Sequence, residues 1–214
     1  MNKRMTAARA TVGNDACNLS EALSKIFSCQ RAKFDESIDI VIKLRVSGKD
    51  GVPIRGAVKL PNGAGKEPRV AVFATSSEEV IGAKHISSVP SDLSEFRKEI
   101  ASYDRCGATP AGMSIASKVA AVIGPMGMMP SAKNNTVMGD TKALVSYLSD
   151  SVFFAERDGA IMARVGAVSM GADAVMANIK AIHEAVSGLI DGKTRTIARC
   201  YLSSTMSPSV RVSL

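Results

Sequence analysis

The side chains best placed for chemistry in this chain are hydroxyls, not acids or imidazoles. Ser203, Ser204, Thr205, Met206 and Ser207 run together near the end, and Pro208 restricts the backbone just after them. A tight loop that carries hydroxyls around a flexible apolar tip suits a grip on another molecule. The stretch Lys33-Phe34-Asp35-Glu36-Ser37 is a second candidate. A cation beside an aromatic can neutralise a phosphate and stack on a nucleotide. Phe34 reads equally well as a core aromatic. Catalysis finds little here. His85 and His183 are the only histidines, and neither lies in a nucleophile motif. Asp35 with Glu36, and Glu78 with Glu79, are adjacent pairs that suit caps and solvated charges.

Other motifs dissolve on inspection. Gly63-Ala-Gly-Lys66 lacks both ends of a phosphate loop: Leu60 stands where glycine is needed, and Glu67 where serine or threonine is needed. Gly63, Gly65 and Lys66 read instead as a flexible hinge. Gly124 to Pro130 is a bent loop after a helix, either a helix stop or a contact loop with exposed methionines. Cys17, Cys29, Cys106 and Cys200 are scattered, which argues against a zinc site and for reduced, partly buried thiols. No cofactor, metal or small-molecule substrate is expected.

Elements must position the two candidate loops. Asn18 and Glu21 resemble a capping box ahead of a helix with Leu19, Ala22, Leu23, Ile26 and Phe27 on one face. Ile38, Ile40, Ile42, Leu44 and Val46 alternate with polar residues and predict a half-buried strand. A turn over 47–51 would return the chain along 52–60 as a hairpin. Residues 69–74 predict a strand buried on both faces. A helix capped by Ser76 or Ser77 follows, then a helix over 92–102, a strand over 103–109, and helices over 113–123 and 142–149. Residues 152–165 form a hairpin through Asp158-Gly159. A helix over 172–190 and strands over 195–204 and 209–213 close the chain.

Composition bounds the class. The chain has 214 residues, ordinary apolar content and no apolar run long enough to span a bilayer. Its net charge of +7 is uneven. Residues 1–66 hold 12 Lys and Arg against 6 Asp and Glu, 67–151 hold 8 against 9, and 152–214 hold 7 against 5. The basic excess lies at the two ends, which suits a polyanion on a surface that both ends build. The fold class expected is α/β with two domains. A discontinuous α+β domain with an antiparallel sheet comes from residues 1–64 and 152–214. A Rossmann-like α/β domain, 65–151, is inserted in it.

Several segments together resemble one family, ribosomal protein L-one of the large subunit. They are Lys3-Arg-Met5, Lys33-Phe34-x-Glu36-Ser37, Arg55-Gly56 with Leu60-Pro61-x-Gly63-x-Gly65-Lys66, Arg69 to Phe73, Gly124-Pro-x-Gly-x-Met-Pro130, Lys133 with Thr136-Val137, and Ser204-Thr-Met-x-Pro208. The resemblance implies that the end domain grips large-subunit rRNA at the mobile stalk. It also implies help in releasing deacylated tRNA from the exit site, and repression of the chain's own mRNA. The implied contacts are Lys33, Phe34 and Ser37 on one side, and Ser204, Thr205, Met206 and Ser207 in the closing loop. The protein would be cytoplasmic and ribosome-bound, bacterial or organellar, with Met1 as its start. Rival readings are a non-ribosomal RNA-binding module and a nucleotide-using enzyme. The enzyme would need a glycine-rich turn after Ala74, where Thr75-Ser76-Ser77 stand.

The chain departs from the family pattern at four places. Ser207 stands where the family has glycine. If that position needs a positive φ or a close approach of RNA, serine costs about 1 kcal/mol of stability or affinity, and Ser207→Gly would tighten RNA binding. Met162 and Ala167 replace basic residues, with Arg164 as a possible stand-in, and Met126 replaces an arginine. Weaker, less salt-dependent RNA binding is the expectation.

Overall fold

The computed structural model describes residues 3–13, 15–29, 32–46, 53–75, 82–88, 92–190 and 195–213. The expected turn at 47–51 and the helix capped at Ser76 or Ser77 lie outside these residues. Helix α1 (Lys3–Val12) leads to the short strand β1 (Cys17–Asn18) and helix α2 (Leu19–Ser28). The α2 helix starts where the pattern places it and buries Ala22, Leu23 and Ile26, but Asn18 makes no side-chain cap bond. Strand β2 (Ser37–Val46) carries the strict alternation, with Ile38, Ile40 and Ile42 fully buried. Strand β3 (Arg55–Lys59) follows.

Next come β4 (Val70–Phe73), β5 (Ala83–Ile86), α3 (Leu93–Ile100), β6 (Arg105–Ala108), α4 (Met113–Lys118), α5 (Ala120–Ile123) and α6 (Thr141–Asp150). The chain ends with β7 (Ser151–Arg157), β8 (Ala160–Ala167), α7 (Ala172–Leu189), β9 (Arg195–Ser204) and β10 (Val210–Ser213). The β7–β8 turn has φ of 51° at Asp158 and 69° at Gly159, the primed geometry that matches strand twist.

The chain divides into two compact units. One holds 1–66 and 152–214, the other 67–151. In the first, a mostly antiparallel sheet runs β1-β10-β9-β2-β8-β7-β3, with a parallel pairing between β1 and β10. Helices α2 and α7 bury their apolar faces with Ile38, Ile40, Ile42, Ile161 and Leu202 in one core. Each such side chain is worth about 2 kcal/mol when buried, so a one-residue slip of β2 would cost as much as a whole domain's stability. The second unit has a parallel sheet, β5-β4-β6, and β4 is buried at every position.

The hairpin expected from 38–60 does not form. Strand β2 pairs with β8 and β9, and β3 lies at the far edge beside β7. Both sides of β2 are filled by longer strands, which bury more apolar surface than the five residues of β3 can. Burial pushes the Cys106 thiol up to about 12 and raises Cys200 as well. Among the described residues, no helix is long and apolar enough to cross a membrane.

Candidate nucleic-acid interface

Register brings the two candidate loops together. Ile38 pairs with Ser204 and Ser37 with Ala167, so residues before β2 and after β9 meet at one end of the sheet. Counting back from Ile38 by two places Glu36 in phase with the buried side of the strand. It is only 4% exposed, not a solvated charge. Its Oε1 accepts from the Ala32 amide at 2.8 Å. Its Oε2 accepts from Ser204 Oγ at 2.6 Å and from the Met206 amide at 3.2 Å. One buried carboxylate thus ties both loops, with bonds of the charge-assisted kind. Composition and spacing hid this; the alternation phase carried the signal.

Around that carboxylate, hydroxyls lock the backbones. The Ser37 and Thr205 hydroxyls are 2.9 Å apart, and Thr205 Oγ1 accepts from the Ser37 amide at 3.1 Å. The Thr205 amide donates to the Ser37 carbonyl at 3.0 Å. Ser207 Oγ accepts from the Ser204 amide at 2.9 Å and donates to the Pro208 carbonyl at 3.2 Å. Among the described residues the positive-φ non-glycine positions are Asn135 and Asp158. Ser207 is therefore unstrained, and a positive φ gives no ground for expecting Ser207→Gly to tighten RNA binding. The loop needs this hydroxyl. Ser207→Gly should lower stability by about 1 kcal/mol, read as a lower Tm; an equal or higher Tm would contradict this.

The locked loops hold apolar tips in solvent. Phe34 is 55% exposed and Met206 is 45% exposed, so Phe34 is not a core aromatic. Lys33 and Thr205 are also exposed. Ser204 is only 6% exposed, which puts its hydroxyl beneath the surface as a support for the loop. A hollow of about 250 Å³ is lined by Phe34, Asp35, Glu36, Val168 and Ser169. Asp35 accepts from the Ser169 amide at 3.1 Å and from its hydroxyl at 2.7 Å. With that carboxylate beside Phe34, the patch suits sugar and base faces better than phosphate. Lys33 is the cation that a phosphate would meet.

The remaining candidates lie elsewhere. Arg164 sits on β8 opposite Asp39, with its Nε buried. Burial raises the Asp39 pKa, and the Arg164 charge opposes the rise. Met162 is 65% exposed, whereas Ala167 is 2% exposed. A lysine at Ala167 would have to leave a packed position. Gly63 and Gly65 have φ of 67° and 82°, and a Cβ on Gly65 would lie 2.9 Å from the Ala167 Cβ. Asn178, fully buried on α7, donates to the Gly63 and Val165 carbonyls and accepts from the Asn62 amide. The glycine break is thus pinned up to Gly65, and Lys66 is the last residue of its unit. Met126, Met128 and Met129 pack against the second unit's core rather than standing free. Among the described residues, no group of three metal-ligating side chains forms. The model of the Ribosomal protein L1p/L10e family matches residues 24–208, most of the chain and both candidate loops.

Proposed function

The chain belongs to the ribosomal protein L1p/L10e family, and from that membership we propose that its carboxylate-tied loops grip the stalk region of large-subunit rRNA. The family is one of structural ribosomal proteins, not of enzymes; the chain is a large-subunit protein that binds rRNA. The observation that carries the finer reading is Glu36, which joins the 33–37 and 204–207 loops while Phe34 and Met206 stay exposed. In this reading Phe34 and Met206 press on sugars and bases, and Thr205 and Ser37 offer hydroxyls to ribose. Lys33 takes a phosphate. Ser204 and Ser207 hold the loop, and Arg164 contributes charge behind it.

The middle unit, 67–151, is proposed to swing about Lys66-Glu67 and Ser151-Val152, beyond the pinned glycines. Release of deacylated tRNA from the exit site and repression of the chain's own mRNA belong to the same proposal. The family motifs along the chain support them, as they support a bacterial or organellar ribosome.

Two measurements test the reading. The protein should co-sediment with large subunits at moderate salt; recovery in the free fraction would refute it. The salt slope of binding to a stalk-rRNA fragment should become shallower by about one unit in Lys33→Ala. An unchanged slope would remove Lys33 from the phosphate contacts.

A further inference from the structure

We propose that the face of the seven-stranded sheet opposite the helices is a second RNA surface, one that takes single-stranded RNA. It rests on the RNA-binding reading above but uses different residues. Helices α1, α2 and α7 put their buried side chains into the core beneath Ile38, Ile40 and Ile42. The intervening residues of β2 point the other way. Register aligns Arg211, Tyr201, Val41 and Met162 in one row across β10, β9, β2 and β8. The next row aligns Arg199, Lys43, Ala160 and Arg157. The row on the other side holds Ser203, Asp39 and Arg164.

An aromatic and an apolar chain therefore lie in the centre, with cations around them. Tyr201 and Val41 are half-buried, Met162 is 65% exposed, and Lys43, Arg157, Arg199 and Arg211 are exposed. Four exposed cations, Lys43, Arg157, Arg199 and Arg211, share this face with one carboxylate, Asp39, whose charge Arg164 offsets across the strands. This charge complements a phosphate chain. An aromatic on a sheet face takes the face of an unpaired base, which a duplex does not offer. Tyr201 and Met162 stand two strands apart, about 10 Å, room for neighbouring nucleotides. Met162, where the family pattern has a basic residue, then reads as part of the platform, and the lost charge is restored by the arginines around it.

The test uses the full chain, a short labelled oligouridylate and a duplex RNA of equal length. Oligouridylate should bind more tightly than duplex. Tyr201→Ala should weaken it about tenfold, and Tyr201→Phe should keep it. The double variant Lys43→Glu/Arg199→Glu should weaken it further, and guards against a folding defect in Tyr201→Ala. Stalk-fragment binding should be unchanged in all three variants. Equal binding of duplex, or an unchanged affinity in both Tyr201→Ala and the charge-reversed variant, would overturn the proposal. Loss of stalk binding by the native chain, with oligouridylate still held through Tyr201, would overturn the loop reading and leave this one standing.

Discussion

Glu36→Ala should lower the unfolding free energy by about 3 kcal/mol and weaken rRNA binding about a hundredfold. The carboxylate is 4% exposed and accepts from Ala32, Ser204 and Met206. Alanine leaves those donors without an acceptor where water has little access. Both loops then lose their common anchor, and the Phe34 and Met206 tips lose their fixed places. Glu36→Gln should fall between. Its amide oxygen can serve Ser204 and Met206, while its NH2 group meets the Ala32 amide as a second donor. Tm and fragment binding read both effects. An alanine variant with near-native Tm and affinity would mean that the loops are held by something other than this carboxylate.

Glu156→Ala should cost about 4 kcal/mol and leave the RNA affinity of the folded fraction unchanged. Arg195 Nε lies 3.3 Å from Glu156 Oε2, and the side chains are 9% and 8% exposed. The same Oε2 accepts from the Ile54 amide at 3.0 Å, and the Glu156 amide donates to the Ile54 carbonyl at 2.7 Å. Removing the carboxylate takes this ion pair away from a buried guanidinium. Replacing both partners, Glu156→Leu with Arg195→Met, should recover most of the loss, because an apolar pair carries no desolvation penalty. The pair sits at the start of β9 and the candidate loop at its end, so stability and binding should separate. A drop in Tm that also abolishes binding by folded protein would show that they do not.

The two variants bear on how far the sequence can be read. The period-two pattern of Ile38 to Leu44 placed β2 and its buried face, and Asp158-Gly159 placed the β7–β8 turn. Those signals are local, a matter of side-chain phase and positive φ. Strand partners are not local. Proximity in sequence argued for β2 with β3, but the longer β8 and β9 take both sides of β2. The family motifs marked the loops at 33–37 and 204–208. They did not show that Ser204 lies under the surface or that Ser207 closes a hydroxyl bridge. Glu36 and Asn178 share one blind spot. Each is a polar residue in phase with an apolar face, and each proves to be a buried hub of hydrogen bonds. Composition counts such residues as solvated, whereas their phase says otherwise.

The most direct test of the loop grip is a quantitative footprint on stalk rRNA with the native chain and with Phe34→Ala/Met206→Ala. Both side chains are about half in solvent, so the double variant should keep a near-native Tm. The native chain should protect the stalk segment, and the variant should need about a hundredfold more protein for the same protection. Equal protection at equal concentration would contradict the account, because Phe34 and Met206 would then be surface residues that no RNA touches.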